Sequence, residues 1–256
     1  MKNNPLDFTG KVALVTGGAA GMGLAAAWAF AEAGAAIALA DFREDVAKAE
    51  AQKLVAAGHR AIAIRCDVSD DAQVEQMVEC VVSEFGRLDA AFNNAGVMAH
   101  IAPTVESTRD DWDRVIGINL RGVWSSMKYE LRQMQRQGSG AIVNNASVGA
   151  LTGNPGIASY IASKHGVVGL TRTAALEYVQ HGIRVNAVNP GLIDTQIARD
   201  VVSGDEQAYN DIAKNVPIRR AGRPEEIASA VLWLCSPGAS YVVGHALTVD
   251  GGMTVV

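Results

Sequence analysis

The sequence has few cysteines and no long run of basic residues, and these absences narrow the classes of protein it can represent. Three cysteines occur among 256 residues, without C-x-x-C spacing, which argues against a disulfide framework or a metal site. The net charge is −5 and Lys and Arg are not clustered, so we expect neither a nucleic acid nor an acidic membrane as partner. The remaining expectation is chemistry on a small molecule.

Long uninterrupted apolar segments are also missing. The amino terminus, MKNNPLDFTG, lacks the continuous apolar segment of a secretory signal. The longest apolar stretch, residues 24–40, is broken at Glu32 and Gly34, whereas a membrane span needs about 20 consecutive apolar residues. This stretch therefore predicts a buried helix followed by a buried strand, and we expect a cytoplasmic protein.

Short apolar runs alternate with segments of helical periodicity along the chain. Most of the runs are continuously apolar, which indicates strands covered on both faces, as in a parallel sheet. The β-α-β alternation predicts an α/β fold with a doubly wound sheet and helices on both faces. The predicted strands are 12–16, 36–41, 61–65, 88–93, 141–146, 183–189 and 246–250, and the predicted helices are 22–33, 44–57, 70–85, 110–136, 159–180 and 224–235.

No linker or low-complexity tract divides the chain. We therefore expect residues 1–256 to form one domain. Its cofactor half is expected at roughly 8–145 and its catalytic and substrate half at roughly 146–256.

A glycine-rich loop joins the first predicted strand to the first predicted helix. It reads TGGAAGMG from Thr16 to Gly23, a spacing that matches neither G-x-G-x-x-G nor a triphosphate loop ending in G-K-[ST]. At the carboxyl edge of a parallel sheet, unpaired N–H groups and the positive end of the helix dipole favour a phosphate. The alternative is a tight turn that needs glycine for its geometry alone.

An acidic residue ends the second predicted strand. The carboxylate of Asp41 can accept hydrogen bonds from the hydroxyls of an adenosine ribose, and it would repel a 2′-phosphate. The sequence therefore predicts NAD as cofactor, and the glycine-rich loop offers no basic residue that would favour NADP. Two alternatives stand: Asp41 can cap the following helix, and Arg43 can accommodate NADP.

A tyrosine and a lysine share one face of a later predicted helix. Tyr160 and Lys164 are four residues apart, which places them about one helical turn from each other. Ser147 ends the fifth apolar run, so all three can reach the carboxyl edge of the sheet. A free tyrosine has a pKa of about 10, and a neighbouring ammonium is expected to lower the pKa of Tyr160 toward the operating pH. This pattern predicts proton transfer to or from an alcohol oxygen.

One asparagine is predicted in apolar surroundings, where an unpaired amide would cost about 1 to 3 kcal/mol. Its other interpretation is a structural hydrogen bond to a neighbouring strand. This residue is Asn119, which shares an inward helical stripe with Trp112, Ile116, Leu120, Val123 and Met127.

Six motifs follow one another along the chain: T-G-x-x-x-G-x-G at 16–23, NNAG at 93–96, Asn119, Ser147, Y-x-x-x-K at 160–164 and PG at 190–191. In order and spacing, they resemble those of the short-chain dehydrogenase/reductase family over nearly the whole chain. The resemblance implies a Rossmann-type domain with a seven-stranded sheet. It also implies an NAD-dependent oxidoreductase that interconverts a secondary alcohol and a ketone, as a homotetramer or homodimer. An epimerase or lyase on the same cofactor and a non-catalytic NAD-binding sensor are the alternatives.

The resemblance implies a role for each catalytic residue. Tyr160 would be the general acid/base, and Ser147 would hydrogen-bond the substrate oxygen. Lys164 would hold the nicotinamide ribose while it lowers the pKa of Tyr160. Asn119 would position a water that links Lys164 to solvent.

The resemblance also implies a set of cofactor contacts. Asp67 and Val68 would contact the adenine, with Asp67 also a candidate helix cap. A backbone amide at Ile193 would hold the carboxamide, which Thr195 would also reach. The full set is Gly17, Gly21, Met22, Gly23, Asp41, Asp67, Val68, Asn94, Ala95, Gly96, Tyr160, Lys164, Pro190, Gly191, Ile193 and Thr195.

Substrate choice is expected to depend on the loop 97–103 and on the segment 194–215, whose polar sequence suggests a lid. The wall is mostly apolar, so we expect a small apolar substrate that is cyclic or aromatic. His100, in the first loop, is interpreted chiefly as a surface histidine. The candidate lining residues are Met98, Val148, Asn154, Ile197 and Tyr209.

The helices 110–136 and 159–180 carry more apolar surface than one sheet face needs. This excess favours contacts between subunits. With the family resemblance, it leads us to expect a tetramer rather than a dimer.

Overall fold

A computed structural model describes residues 5–202 and 204–255. Within these ranges, parallel strands form one seven-stranded sheet in the order β3-β2-β1-β4-β5-β6-β7. The strands are β1 Val12–Thr16, β2 Ala36–Asp41, β3 Ala61–Arg65, β4 Ala90–Asn93, β5 Gly140–Asn145, β6 Ile183–Pro190 and β7 Ala246–Val249. After β3 the chain crosses back to place β4 beside β1, so the strand order reverses between β1 and β4, and the predicted doubly wound Rossmann-type sheet is confirmed.

Helices cover both faces of this sheet. They are α1 Gly21–Glu32, α2 Glu44–Ala56, α3 Asp71–Phe85, α4 Arg109–Ile116, α5 Gly122–Gln137, α6 Ala158–Tyr178, α7 Gln196–Asp200, α8 Glu206–Asn215 and α9 Pro224–Cys235. No helix in the described ranges is long and apolar enough to cross a membrane.

Each face of the sheet buries its own apolar layer. Met77 and Ile142 belong to the layer beneath α3, α5 and α6, and both are fully buried. Phe30 and Ile227 belong to the layer beneath α1 and α9 and are equally buried. Burying one such side chain contributes about 1.5 to 3 kcal/mol. The central strands are therefore the most stabilised part of the fold. Side chains at their carboxyl ends are held in fixed positions, as a binding site requires.

The predicted helix 110–136 is wrong as a continuous α-helix. A π-helical turn at Gly117–Arg121 separates α4 from α5, and its wider winding changes the direction in which neighbouring side chains point. As a result, Trp112 is 43% exposed although the helical pattern placed it inward, whereas Asn119, inside the π turn, is fully buried.

Two candidate helix caps from the sequence are also wrong. The helix α2 begins at Glu44, after Arg43, so Asp41 lies too far upstream to cap it. The cap of α3 is Asp70, which accepts hydrogen bonds from two backbone N–H groups of the first turn. Asp41 is the last residue of β2 and Asp67 follows β3, so both acids lie at the carboxyl edge of the sheet.

Candidate active site

The carboxyl ends of the central strands bring the predicted motifs to one edge of the sheet. The glycine-rich loop follows β1, NNAG spans the end of β4, and Ser147 follows β5. Tyr160 and Lys164 both lie in α6. This edge is where ligands bind in open α/β sheets.

The glycine-rich loop needs its glycines for both conformation and space. Gly17 and Gly21 have positive φ values of 59° and 51°, in the left-handed region that favours glycine. A Cβ on Gly23 would lie 2.2 Å from the carbonyl oxygen of Gly17. No side chain caps the start of α1, where Met22 lies. The loop therefore brings backbone N–H groups to a helix start and fits the pyrophosphate of a dinucleotide.

Asn94 ties three strand ends together. Its Nδ2 donates to the carbonyl oxygens of Thr16 and Gly17, at 3.1 Å each. Its Oδ1 accepts a hydrogen bond of 3.0 Å from Asn145 at the end of β5. The Thr16 hydroxyl in turn accepts from the backbone N–H groups of Asn94 and Ala95. The NNAG segment thus holds the glycine-rich loop against β4 and β5, and Gly96 passes close to Asn119.

The Asp41 carboxylate is bound to the glycine-rich loop. Its Oδ2 accepts from the Ala19 N–H at 3.2 Å. Its Oδ1 accepts from the backbone N–H and the Nε of Arg43, at 3.0 and 3.2 Å. The acid is therefore held beside the loop, as a ribose contact requires, and Arg43 partly neutralises its charge.

The predicted adenine contacts, Asp67 and Val68, lie just after β3. Asp67 accepts hydrogen bonds from the backbone N–H and the hydroxyl of Ser69, at 2.9 and 2.7 Å. Val68 is buried, and a Cβ on Gly122 would lie 2.8 Å from it. The side chain of Val68 thus packs against α5, which leaves only its backbone for a ligand.

Ser147, Tyr160 and Lys164 form one connected group. Ser147 hydrogen-bonds Tyr160, and its Oγ also accepts from the Gly149 N–H at 3.0 Å. The Nζ of Lys164 lies 5.6 Å from the centre of the Tyr160 ring and donates to the Asn145 carbonyl oxygen at 2.7 Å. The predicted catalytic trio is therefore brought together by β5 and α6.

The predicted fall in the pKa of Tyr160 is wrong for this arrangement. Burial raises the pKa of Tyr160, and the hydrogen bond from Ser147 opposes this rise. Burial also lowers the pKa of Lys164 to about 8. The ammonium is paired with the Asn145 carbonyl and lies over the tyrosine ring. Desolvation therefore has a larger effect on the phenol than the nearby cation.

Asn119 has a structural hydrogen-bonding role. Its Oδ1 accepts from the Val97 N–H and its Nδ2 donates to the Val97 carbonyl oxygen, both at 2.8 Å. A longer contact of 3.4 Å joins its Nδ2 to the Ser163 hydroxyl. The side-chain amide of Asn119 is thus hydrogen-bonded to the loop after β4. This agrees with the interpretation that Asn119 makes a structural hydrogen bond, but the partner is a loop and not a strand.

The segment after β6 approaches the same site. Gly191 passes within 2.8 Å of the Asp250 backbone, measured from a Cβ built on the glycine. Gly222 pairs with Leu192 and Asp194, so the backbone N–H of Ile193 between them points to the opposite side. Pro190 ends β6. This arrangement fits a carboxamide held by Ile193.

Thr195 links this segment to the glycine-rich loop. Its Cγ2 lies 3.2 Å from a Cβ built on Gly21, and its hydroxyl accepts from the Ala198 N–H as the cap of α7. A short side chain here lets α7 start beside the loop.

The candidate substrate residues divide into two groups. Met98 packs with Tyr160 in a small apolar cluster that also contains Val115 and Ile157, and Val148 directly follows Ser147. The others lie farther out.

Among these outer candidates, Asn154 is exposed in the loop before α6, and Ile197 is 47% exposed on α7. Tyr209 is buried, and its hydroxyl donates to Asp194 at 3.3 Å. His100 is 83% exposed and pairs with an acid on α4, as its interpretation as a surface residue predicts.

Sequence reasoning missed several polar residues that support the site. Asn93, Asn144 and Glu130 are buried in one hydrogen-bonded network. The signal was present, because asparagines end two otherwise apolar runs. Glu130 likewise falls on the inward face of its helix among apolar residues.

Comparisons with known proteins place the chain in a family. A family model described as "Enoyl-(Acyl carrier protein) reductase" matches residues 17–254. Cyclohexanol dehydrogenase of Acinetobacter sp. (strain SE19) is 41% identical over 247 residues, covering 96% of both chains. Cis-4-hydroxycyclohexanecarboxylate dehydrogenase of Sinomonas cyclohexanicum is 45% identical over 252 residues, covering 97% of this chain and 98% of the relative.

A solved structure, that of levodione reductase, superimposes with a TM-score of 0.94 at 39% identity, covering 97% of this chain and 99% of that one. The fold, the glycine-rich loop and the Ser147, Tyr160 and Lys164 group agree with these matches. The chain belongs to the short-chain dehydrogenase/reductase family, whose members are NAD(P)-linked oxidoreductases.

Proposed function

We propose that the protein interconverts a small, cyclic secondary alcohol and its ketone, with NAD as cofactor and Tyr160 as general acid/base. The observation that carries this proposal is the grouping of Ser147, Tyr160 and Lys164 beside the glycine-rich loop. Two similar proteins have names that describe dehydrogenases of cyclohexane-ring alcohols, which supports a cyclic substrate.

The side chains of the site divide the proton chemistry between them. The bound nicotinamide supplies the hydride acceptor or donor. During oxidation, Tyr160 Oη takes the proton of the substrate hydroxyl, and Ser147 hydrogen-bonds the same oxygen. Lys164 would hold the nicotinamide ribose, and its charge would oppose the effect of burial on the pKa of Tyr160 without exceeding it. Asn119 fixes Val97 beside the site through its side-chain amide.

The apolar cluster around Tyr160 favours an uncharged ring. Nearby cations are already paired: Arg114 donates to Asp111 at 2.6 Å and to the Met98 carbonyl oxygen at 2.8 Å. His100 contacts the same acid at 2.9 Å. A substrate carboxylate would have to compete with these partners. We therefore expect turnover of a cyclic alcohol without a charged group.

A panel of alcohols tests this choice of substrate. Cyclohexanol, a hydroxycyclohexane carboxylate and an acyclic secondary alcohol are compared by the absorbance of reduced cofactor. We expect kcat/KM for cyclohexanol to exceed that for the carboxylate by at least about tenfold, because Arg114 and His100 already contact Asp111 and would not fully offset the buried charge. A preference for the carboxylate would contradict the uncharged-ring proposal.

The NAD preference rests on Asp41. We expect the Asp41→Ala variant to lose about tenfold in kcat/KM with NAD and to gain relative activity with NADP, because the acid that contacts the ribose is gone. The companion Arg43→Ala should lower activity with NADP only. Asp45→Ala, at an exposed position on α2, is the matched control. A wild type that prefers NADP would show the Asp41 proposal to be wrong.

Four side chains of the segment 194–215 contact one another and hold its parts together. The Nε of Arg199 donates to Asp194 at 3.0 Å, and its Nη1 contacts the carboxylate of Glu206. The Arg199 guanidinium lies 4.8 Å from the centre of the Tyr209 ring. These contacts join the end of the β6 loop to α7 and α8, so they fix the segment that follows Ile193.

Loss of this cluster should weaken substrate binding. We expect Arg199→Ala to raise the KM for the alcohol about fivefold while kcat changes less than about twofold. The variant loosens the segment that binds the substrate but leaves Ser147, Tyr160 and Lys164 in place. Lys214→Ala removes an exposed ion pair elsewhere on α8 and serves as the control. Steady-state kinetics of both variants decide the matter, and an unchanged KM in Arg199→Ala would count against the lid.

We also propose a homo-oligomer, with a tetramer preferred over a dimer. Large apolar side chains are exposed on α4, α5 and α6, where Trp112 is 43%, Trp124 is 45% and Leu176 is 78% exposed. Such side chains on adjacent helices favour a subunit contact. Light scattering coupled to size-exclusion chromatography tests this proposal, and a monomer at micromolar concentration would contradict it.

A further inference from the structure

Glu130 of α5 is a buried carboxyl group that the proposed chemistry does not use. It is fully buried, and its Oε2 accepts one hydrogen bond of 3.0 Å from Asn93 Nδ2. Its Oε1 has no hydrogen-bond partner. Among the described residues, no Lys, Arg or His lies within ion-pair distance of Glu130. An ionised carboxylate is costly in such a place, whereas a neutral acid is tolerated.

This acid ends a polar network that crosses the layer between the sheet and its helices. Asn93 also donates to the Oδ1 of Asn144 at 3.0 Å. Asn144 donates to the Thr171 hydroxyl at 2.9 Å, and that hydroxyl donates to the Val167 carbonyl oxygen at 2.8 Å. The network therefore joins β4, β5, α5 and α6 through side chains alone.

Two residues of the network, Asn93 and Asn144, are directly followed in the chain by Asn94 and Asn145, which hold parts of the proposed cofactor site. Successive side chains of a strand point to opposite faces, so Asn145 points away from Asn144, and it donates a hydrogen bond to Asn94, which directly follows β4. Asn94 holds the glycine-rich loop. The Asn145 carbonyl oxygen accepts the hydrogen bond from Lys164. A shift of the network would therefore displace both Asn94 and Asn145.

We propose that Glu130 is a positioning residue, buried as a neutral acid, that fixes the ends of β4 and β5 and thereby holds the glycine-rich loop and Lys164. This inference rests on the proposed function, because it concerns the binding of the same dinucleotide. Burial raises the pKa of Glu130 to about 7 and the hydrogen bond from Asn93 opposes the rise, which agrees with a neutral acid below neutral pH.

The protonation state is tested by infrared spectroscopy of the intact protein at pH 6. We expect a band from a protonated carboxylic acid in the wild type and in the control Glu79→Gln, where an exposed acid on α3 is replaced. The band should be absent from Glu130→Gln. A wild-type spectrum without this band would overturn the neutral-acid assignment, whatever the enzyme turns over.

The positioning role is tested by NADH binding, followed by fluorescence. Glu130→Gln keeps an oxygen to accept the Asn93 hydrogen bond, so it should bind NADH within about twofold of the wild type. Glu130→Leu cannot accept that bond and should bind about tenfold more weakly, because small displacements at a site carry large penalties. A folded Glu130→Leu that binds NADH like the wild type would overturn the role.

If Glu130→Leu does not fold, Glu130→Asp takes its place. It keeps the acid but moves it away from Asn93 by one methylene, so weaker NADH binding is expected and wild-type binding would overturn the role. Failure of the proposed function would show differently, as a wild type that turns over no alcohol. Binding and the infrared band are measured without turnover.

Discussion

Replacing Tyr160 by Phe is expected to lower kcat for alcohol oxidation by about 10³-fold. A positioned general acid/base contributes about 10² to 10⁴ in rate, and the phenylalanine ring keeps the apolar packing of Tyr160 with Met98 and Ile157. The variant lacks only the hydroxyl that hydrogen-bonds Ser147. Stopped-flow absorbance of the reduced cofactor gives the rate.

Two controls separate chemistry from folding in this experiment. NADH should bind Tyr160→Phe within a few-fold of the wild type, because Lys164 and the glycine-rich loop are unchanged. Tyr178→Phe alters the same residue type at the other end of α6, where the ring lies near His181, and should keep full activity. Comparable turnover by Tyr160→Phe and wild type would rule out the assigned acid/base.

Replacing Glu130 by Gln is expected to remove a pH dependence of stability. The folded pKa is about 7 against an ordinary value of 4.5, so the folded protein keeps a proton that the unfolded chain releases. Wild-type stability is therefore highest below about pH 4.5 with respect to this group and falls as pH rises toward 7. The loss amounts to about 3 kcal/mol when complete.

Denaturant unfolding at pH 5 and pH 8 measures this effect. The free energy of unfolding of Glu130→Gln, minus that of the wild type, should rise by about 2 to 3 kcal/mol between the two values. Asn93 is the polar group that binds the acid, and the thiol of Cys235 is another titratable group that senses its charge. Glu79→Gln should show no such rise. A constant difference for Glu130→Gln would mean that the acid is ionised throughout.

The sequence predicts much of the fold because apolar runs have few ways to be buried. The run VALVT became β1 and is buried at every position, and AIALAD became β2 with the same pattern. The glycine-rich loop was also predictable, since only glycine fits the backbone at Gly17 and the space at Gly23. Tyr160 and Lys164 meet because an α-helix brings together residues four apart.

Features that depend on tertiary packing were not predictable in the same way. The π turn at Gly117–Arg121 is invisible to a 3.6-residue pattern, so Trp112 was placed on the wrong side. The pKa of Tyr160 was predicted to fall because the positive charges of Lys164 and the nicotinamide were expected to outweigh desolvation. The structure shows that burial has the larger effect on that phenol, and the depth of burial is fixed only when α6 packs on the sheet.

Hydrogen bonds between residues of different helices and strands could not be predicted from the sequence, because they too depend on tertiary packing. Asn93 and Glu130 are 37 positions apart in the chain, and nothing local indicates that they meet. Arg199 and Tyr209 were likewise separate polar and aromatic residues until α7 and α8 folded against each other.

The most direct test of the proposed function mixes the wild-type protein with NAD and cyclohexanol and follows the absorbance of the reduced cofactor. We predict that reduced cofactor accumulates with the wild type and not with Tyr160→Phe. Absence of reduced cofactor with every cyclic secondary alcohol tried, using either NAD or NADP, would contradict the proposed function.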